Sequence, residues 1–549
     1  MKRAKKAIAI LIVLVLCVSL FAACKQDDTD TTGGAPGGTT GGSPGGTTGG
    51  SNSPAPNPPE MQVPEAPPEG AQFAEHIVWV GTESVPTFDA TEPASTSRGS
   101  IWSFNLIYNQ LFKDTPGGTI EPALATSWES SDLQTFTFQL RDDVYFHNGE
   151  KFTADDVAYN IDRALASPGT QVYDRWAMVD SYDVVNDYEI VIRLSRVNVD
   201  FVANLSWPAC GMVNRAACEA DPERGYWIGT GAWIVDEFVP NDHTTWRRNE
   251  NYWGEVPVTK LFTLRTVTEE TARVAMLESG EANVVYSLQP QSVPYIIDNP
   301  NLELTSYTLT NIMYLGFNTS VPITSDVNFR RAVAYAIDRQ TGADLSRDGY
   351  ATIPDNPIFW GYRTEFRNTD VPKIERNLDT AREYLAASSY NGETIEILTS
   401  NPQAAIIAQV YLTNLAEIGI TITVRETDQA GAAAIASWGS TQTQMMISGA
   451  EFQQWASSAR GMLYPGVVGN RAQYNNPEVV ALFDEAAATL DAAERERLYR
   501  RIQEIVAEDI PYLTNYHMEQ VIGITQGIGG IMFMPNGMHD ISGIYMVAQ

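Results

Sequence analysis

Polar and apolar residues alternate along some stretches of the chain and recur at helical spacing along others. Thr135–Leu140 alternates strictly, which predicts a half-buried strand, and the apolar residues 77–80 predict another. Ser325 and Asp326 can cap a predicted helix. The apolar face of that helix comprises Phe329, Ala332, Val333, Ala336 and Ile337. The pattern therefore predicts both strands and helices.

A strand, a helix and a second strand follow one another in the C-terminal half. Residues 394–398 are typical of a strand, residues 404–418 of a helix that Gly419 ends, and residues 420–424 of another strand. Strands joined through a helix are parallel in most proteins. The predicted fold class is therefore α/β, with at least one largely parallel sheet.

The chain opens with a basic segment and a short apolar run, residues 7–20, which is typical of a signal peptide and short for a membrane span. Ala22 and Ala23 then precede Cys24. This ending resembles the lipobox of bacterial lipoproteins, whose cysteine is diacylated, although Phe21 replaces the usual leucine. We predict a signal peptide at residues 1–23 and lipid attachment at Cys24. An ordinary signal peptide with an incidental cysteine is the alternative.

The next segment, residues 24–72, is rich in Gly, Thr, Ser and Pro. Residues 37–51 contain the near-repeat GGTTGGSPGGTTGGS. Such a composition buries too little apolar surface to fold, so the segment is predicted to be a disordered tether. Together with the lipid, it predicts a protein held on the extracytoplasmic face of the cell membrane.

Charge and length narrow the possible functions. Removing residues 1–23 takes away four basic and no acidic residues, which changes the formal charge from −31 to −35. A chain this acidic repels nucleic acid and anionic membrane surfaces, so neither is expected as a partner. Residues 73–549 suffice for two or three lobes.

Two cysteines remain beyond Cys24. Cys210 and Cys218 lie eight residues apart, and outside the cytoplasm such a pair forms a small-loop disulfide or stays as two buried thiols. The chain has five histidines, and none lies at ligand spacing from these cysteines. No metal site and no cofactor are expected.

The most specific sequence signal lies at residues 120–157, which contain IEPALATSWE and TFTFQLRDDVYFHNGEKFTADDV. Asn148-Gly149 favours a tight turn, and Thr153 with Asp156 favours a capping box. Further motifs are YNQL at 108–111, GTGAW at 229–233, NENYWG at 249–254, LGFNT at 315–319, RRA at 330–332 and AIDR at 336–339. Together, in this order, they resemble the oligopeptide/dipeptide type of ABC-importer solute-binding protein.

The resemblance implies a periplasmic-binding-protein-like two-lobed clamp with an extra subdomain in the N-terminal lobe. Residues 73–309 and 514–549 would form lobe 1, with the subdomain at about 98–195, and residues 310–513 would form lobe 2. It also implies a monomer that is not an enzyme. Such a protein closes on a small solute, with peptide the leading ligand, and delivers it to the permease and ATPase subunits of an importer.

A ligand site in lobe 2 follows from the same resemblance. Peptide-binding members have an aspartate for the ligand α-ammonium within Gly-Trp-x-x-Asp, and here Glu451 falls at the aspartate and Ser448 at the tryptophan. Gly449, Phe452 and Trp455 belong to the same predicted site. A buried carboxylate facing an amine is a strong anchor. The alternative is that Glu451 is a solvated loop carboxylate and that the pocket takes another ligand.

Further ligand contacts are predicted from both lobes. Trp438 and Trp360 lie in second-lobe segments predicted to be loops or strand ends, where they would either stack on a ligand or pack within the protein. Thr96, Ser97 and Arg98 occupy the first-lobe segment that the resemblance places at the cleft. Arg98 is the candidate for a ligand carboxylate.

Three residues that invite a chemical role are predicted to be structural. His147 is interpreted as a turn residue and not a catalytic base, and Trp128 and Trp253 as packing residues. The folded part lacks Gly-x-Ser-x-Gly, His-Glu-x-x-His and Ser-x-x-Lys, which argues against an extracellular hydrolase. The same fold binding an oligosaccharide, a nickel chelate or haem stays open.

Overall fold

The computed structural model describes residues 66–115, 119–354, 367–450, 455–489, 491–537 and 539–548, without the side chains of residues 429 and 455–457. In chain order, strands β1 to β19 span His76–Gly81, Phe112–Asp114, Ile120–Pro122, Ala125–Glu129, Thr135–Leu140, Val179–Asn186, Glu189–Leu194, Trp233–Val239, His243–Arg248, Leu261–Thr266, Val284–Val285, Leu302–Phe317, Ala351–Thr352, Ile395–Thr399, Ile422–Glu426, Met445–Ala450, Tyr512–Thr525, Ile528–Gly529 and Tyr545–Met546.

The α-helices, α1 to α16 in chain order, span Arg98–Ile107, Ala154–Leu165, Gln171–Trp176, Phe201–Asn204, Arg215–Ala220, Glu270–Ser279, Val293–Ile297, Pro322–Ser325, Val327–Ala336, Arg339–Arg347, Leu378–Ala386, Pro402–Ala416, Gln429–Ile435, Trp455–Leu463, Pro477–Ala488 and Ala492–Asp509. Within the described ranges, none of these helices combines the length and apolar character needed to cross a membrane.

One mixed sheet runs through the molecule in the order β15-β14-β16-β12-β17-β11-β1-β10-β9-β8, with β13 added to β17. At its centre are two long strands, β12 with 16 residues and β17 with 14. They pair antiparallel from Leu302↔Thr525 to Gly316↔Tyr512. Their length lets each strand take part in both halves of the sheet.

Separate buried cores pack on the two halves. At one end of the central pair, Leu302 and Val521 pack in a core with Leu277. At the other end, Leu315 and Leu513 belong to a core built from residues 313–516. Each long strand therefore leaves one core and enters another, as the crossing strands of a two-lobed clamp must.

The two crossing strands pair irregularly between the cores. Regular pairing stops at Thr308↔Glu519 and resumes at Ile312↔His517. The carbonyl of Leu309 instead accepts a hydrogen bond from Nδ1 of the buried His517 at 3.1 Å. This bond satisfies the carbonyl of Leu309, which the interrupted ladder leaves without a strand partner.

An antiparallel sheet of order β4-β5-β7-β6 forms the extra subdomain. Its helix α2 begins as predicted, because the side chain of Asp156 accepts the N–H of Thr153 at 3.0 Å. Trp176 and Phe201 pack edge to face with ring centroids 6.0 Å apart. These rings join the subdomain to the core of lobe 1.

The local predictions from the sequence agree with these elements. Strand β5 has the predicted bounds, and α9 begins after Asp326, whose side chain accepts the N–H of Asn328 at 2.9 Å. Strands β14 and β15 are parallel and joined by α12, which confirms the predicted strand–helix–strand unit. Gly419 follows α12 with a φ of +86°, a left-handed conformation that favours glycine.

Candidate functional site

Both lobes direct the carboxyl ends of parallel strands toward their boundary. Strands β11 and β12 both run antiparallel to β17, so β11 and its parallel neighbours β1 and β10 end toward lobe 2. Strand β16 runs antiparallel to β12, so β16 and its parallel neighbours β14 and β15 end toward lobe 1. Ligands of open α/β sheets bind outside such carboxyl ends. The cleft between the two edges is therefore the candidate site.

The predicted first-lobe contacts lie at the start of α1. Ser97 caps this helix, and its hydroxyl also donates to the carbonyl of Ser84, just after β1, at 3.0 Å. A Cβ at Gly99 would overlap that carbonyl, so glycine permits the close approach. Thr96 is exposed and Arg98 half-buried. The structure therefore places this segment beside the carboxyl end of β1, and its contact with a ligand stays a prediction.

A buried network of polar side chains lies behind Arg98, which hydrogen-bonds to Tyr286. The hydroxyl of Tyr286 is 3.1 Å from that of Tyr307, which in turn is 2.6 Å from Nε2 of His539. Nδ1 of His539 accepts the N–H of Met534 at 3.0 Å, which places the ring proton on Nε2. Burial and the charge of Arg98 hold the pKa of His539 well below its ordinary value. The imidazole is therefore neutral.

A carboxylate shares this edge with Arg98. Glu83 lies two residues beyond β1, and burial raises the pKa of its carboxyl, although Arg98 and Arg273 oppose the rise. The lobe 1 edge thus carries both signs of charge. A ligand bound here would meet a guanidinium and a carboxyl held in a poorly hydrated environment.

The lobe 2 edge is formed by the end of β16. Ser448 pairs with Tyr314 and is fully buried, and its hydroxyl lies 3.5 Å from that of Ser400. Ser448 therefore has no exposed surface in this conformation with which to contact a ligand. Gly449 is half-buried and faces Met313 across the strand pair.

The remaining predicted contacts in lobe 2 are mostly not described. Glu451, Phe452 and Trp360 lie outside the described residues. The backbone of Trp455 begins α14, but its side chain also lies outside them. Their roles stay predictions.

Trp438 is described and lies away from this edge. The carbonyl of nearby Ser440 accepts a hydrogen bond from the side chain of Asn318. Asn318 directly follows Phe317, which pairs with Met445 at the start of β16. Trp438 is therefore near the opposite end of β16 from Gly449, separated by roughly 13 Å of strand. The structure does not bring Trp438 to the predicted group.

A cavity of about 770 Å³ opens on lobe 1. Its wall comprises Asn105 of α1, residues 108–110, 113–115 and 121–123, Arg175 of α3, Ala203, residues 206–208, Ala232, residues 252–255, Ser458 of α14, and Met532, Met534, Asn536, Asp540 and Ser542 near the C-terminus. Its size is within the range of small-molecule pockets. Because Ser458 belongs to lobe 2, both lobes contribute to its wall.

Three of the recognised motifs converge on Asn109 in the wall of this cavity. Its side-chain oxygen accepts hydrogen bonds from Oγ1 of Thr230 and Nε1 of Trp253, both at 3.0 Å, and its amide donates to the hydroxyl of Tyr252 at 3.2 Å. Burial raises the pKa of Tyr252 to about 12, so its hydroxyl keeps its proton. Trp253, predicted to be a packing residue, also lines the cavity.

Sequence reasoning missed most of this cavity. Arg175, Trp207 and Asp540 line it but belong to no recognised motif. Asn109 and Trp253 belong to motifs that were interpreted as structural. A signal was present in the polar pair Asn109 and Gln110, which lies between Tyr108 and Leu111 in the YNQL motif.

His147 has the structural role that the turn motif predicts. Its Nδ1 accepts the N–H of Gly229 at 3.2 Å and its Nε2 donates to the carbonyl of Gly231 at 3.0 Å. Burial lowers its pKa to about 4. A Cβ at Gly229 would overlap the carbonyl of Ile107, so this glycine-rich segment packs directly on the end of α1. The neutral imidazole holds the segment in place.

The proposed disulfide is absent, since both cysteines are buried free thiols. Cys210 lies 3.7 Å from the carbonyl of Asn204, to which its thiol donates, whereas Cys218 on α5 hydrogen-bonds to Tyr159. Burial raises the pKa of each thiol to about 12. The prediction of a bond is wrong, because the two side chains face different partners, and the alternative of two buried thiols is confirmed.

Comparison with known proteins agrees with this architecture. Residues 119–474 match the sequence profile described as "Bacterial extracellular solute-binding proteins, family 5 Middle". Heme-binding protein A of Haemophilus influenzae is 26% identical over 496 residues, covering 82% of this chain and 89% of that protein. Glutathione-binding protein GsiB of Pectobacterium atrosepticum is 26% identical over 490 residues, covering 84% and 93%.

Solved structures share the fold. The unliganded open form of the periplasmic murein tripeptide-binding protein MppA superimposes with a TM-score of 0.77 at 19% sequence identity. The match covers 88% of this chain and 99% of that one. The arrangement of two lobes around a cleft is therefore common to both proteins.

Proposed function

Because the chain belongs to family 5 of the bacterial extracellular solute-binding proteins, we propose that it captures a peptide between its two lobes for uptake by an importer. Members of this family bind small ligands or peptides outside the cytoplasm, deliver them to an ABC permease, and are not enzymes. The observation that carries the proposal is the pair of facing carboxyl edges joined by two crossing strands.

Closure of the lobes would take place at the irregular pairing of β12 and β17. Within the described ranges, β12 and β17 are the strands of the sheet that cross the boundary, and their ladder is interrupted between Thr308 and Ile312. We propose the first lobe boundary at 309/310 for this reason. On β17 the interruption lies between His517 and Glu519, a few residues beyond the boundary predicted at 513/514. A ligand that touches both edges favours the closed form by its difference in affinity for the two forms.

Peptide is the ligand class that the relatives favour. Two of them are named for glutathione and for a murein tripeptide, and glutathione is itself a tripeptide derivative. Arg98 and Glu83 at the lobe 1 edge suit a ligand that carries both signs of charge. The relative named for heme keeps a non-peptide ligand as the second candidate.

We predict that Glu451 anchors the α-ammonium of the peptide. Glu451→Gln keeps the shape of the side chain and removes its charge, so the variant is expected to bind peptides with a free N-terminus about tenfold more weakly. Isothermal titration of the purified protein with a peptide retained from a casein digest measures this. Glu417→Gln, an exposed residue after α12, is the matched control.

The same peptide with an acetylated N-terminus separates charge recognition from other effects. It is expected to bind the wild type and Glu451→Gln with equal, weakened affinity. If Glu451→Gln bound the free-amine peptide as tightly as the wild type does, the anchoring role of Glu451 would be wrong.

The N-terminus completes the proposal. We propose that Cys24 carries lipid and that residues 24–72 tether the lobes to the extracytoplasmic face of the membrane. Such a tether would keep a binding protein near its permease and leave its orientation free. The lipid would be its membrane attachment.

A further inference from the structure

Arg175 occupies an unusual position in the wall of the 770 Å³ cavity. Helix α3 buries Trp176 in the core and turns Arg175 toward the cavity. The guanidinium carbon lies 4.9 Å from the centroid of the Trp207 ring, and Nη1 donates to the side chain of Asn204 at 3.3 Å. The guanidinium is thus held between an aromatic face and a neutral amide.

No carboxylate in the part of the chain that the structure describes neutralises the charge of Arg175. Among the described residues none forms an ion pair with Arg175, and the adjacent Asp174, whose charge favours the guanidinium, is exposed. The comparably placed Arg163 is ion-paired with Asp89 at 2.5 Å. Lys113, which lines the same cavity, is paired with Glu121 at 3.2 Å. Arg175 therefore differs from the other cations near it.

The charge is also poorly hydrated. Burial lowers the pKa of Arg175 below its ordinary value, although an arginine stays protonated at neutral pH. Buried charges in proteins are normally paired or bind a ligand, because desolvation without a partner costs free energy. A partner from outside the chain would offset that cost.

Trp207 holds the guanidinium ready for such a partner. Its Nε1 donates to the side chain of Gln171 at 3.0 Å, and Gln171 lies one helical turn before Arg175 on α3. The ring and the guanidinium are therefore fixed relative to the same helix. A side chain that is already ordered loses little entropy when a ligand binds.

We propose that Arg175 receives a carboxylate of the bound ligand, and this inference rests on the proposed capture of a solute by the two lobes. The planar fork of a guanidinium matches the two oxygens of a carboxylate. Asp114, Glu255 and Asp540 line the same cavity, as does Glu121 with its partner Lys113, and these carboxylates would repel a ligand with several negative charges. A single carboxylate, such as a peptide C-terminus, fits this combination.

The test uses N-acetylglycine, which carries one carboxylate and no amine, with N-acetylglycine amide as the uncharged probe. Binding to the full-length protein is followed by ligand-observed NMR titration. The wild type is expected to bind the acid more tightly than the amide, and Arg175→Gln is expected to bind the acid about tenfold more weakly. Arg224→Gln, which also removes an arginine stacked on a tryptophan, Trp227, is the control and should bind like the wild type.

A folding defect is distinguished by Arg175→Lys, which keeps the charge and should retain part of the preference for the acid. The proposal is overturned if the wild type binds acid and amide equally, or if Arg175→Gln binds the acid as the wild type does. Loss of acid binding in Arg175→Gln supports it even if the wild type retains no peptide from a casein digest. Failure of the wild type to retain any peptide would refute only the peptide ligand proposed above.

Discussion

The protein is expected to lose stability steeply as the pH falls from about 6.5 toward 4, because it buries neutral histidines. Burial lowers the pKa of His147 to about 4 and that of His517 to about 3, and that of His539 lies well below its ordinary value. The unfolded chain takes up protons near pH 6.5, whereas the folded chain does not. The buried histidines therefore stabilise the folded chain fully above pH 6.5, and this stabilisation is lost as the pH falls toward their pKa values in the folded state.

Burial is the main reason that these rings resist protonation, and in two of them a hydrogen bond accepted at Nδ1 adds to this resistance. Nδ1 of His147 accepts the N–H of Gly229, and Nδ1 of His539 accepts that of Met534. A proton on either nitrogen would remove the acceptor and leave a buried charge. For His147, the difference between 6.5 and about 4 corresponds to roughly 3 kcal/mol of stability.

Urea denaturation at several pH values between 7.5 and 4.5 measures this effect. Glutamine cannot be protonated in this range, so His147→Gln is expected to be less stable at pH 7 but to show a shallower dependence on pH. Comparing the two slopes removes effects common to both proteins, such as the decrease in net negative charge. Equal stability of the wild type at pH 7 and 4.5 would contradict the account.

Replacing Cys24 by serine is expected to release the protein from the membrane fraction completely. A serine hydroxyl cannot take the thioether-linked lipid on which the proposed attachment depends. Two acyl chains anchor stably, whereas a chain with none has no comparable attachment. Fractionation of cells that express each protein, followed by detergent phase partition, measures the change.

Cys17→Ser is the matched control, because Cys17 lies within the apolar run before the cleavage region. This variant should stay with the membrane fraction. Retention of Cys24→Ser in the membrane, with unchanged partition into detergent, would show that lipid on Cys24 does not anchor the protein. The alternative of an ordinary signal peptide would then be favoured.

Local sequence patterns predicted individual elements well. The alternation over β5, the cap at Asp326 and the capping box at Thr153 each depend on residues within a few positions of one another. Boundaries were less accurate for α12, which begins at Pro402 because the side chain of Asn401 accepts the N–H of Ala404 at 2.8 Å. The proline at its first turn was not recognised as a start.

The arrangement of the lobes followed from the family motifs and not from periodicity. Strand β12 does not alternate regularly and is continuously buried from Ile312 to Phe317. Its pattern alone does not reveal that it crosses between two cores. That information depends on partners more than two hundred residues away in β17.

The candidate site was predicted only in part for the same reason. Arg98 and Gly449 lie at the two facing edges, and their contact with a ligand stays a prediction. The cavity residues Arg175, Trp207 and Asp540 come together only in the folded chain, so no local pattern marks them. Spacing also did not decide the state of Cys210 and Cys218, because the direction of each side chain depends on its own helix or turn.

The central claim is that the protein captures a peptide, and mass spectrometry of its co-purified ligand tests this most directly. The full-length protein is purified without refolding, washed and denatured, and the released small molecules are identified. We expect peptides, with a free carboxylate in each of them. Recovery of a saccharide, a heme or a nickel complex instead, with no peptide present, would contradict the claim and leave the two-lobed fold unaffected.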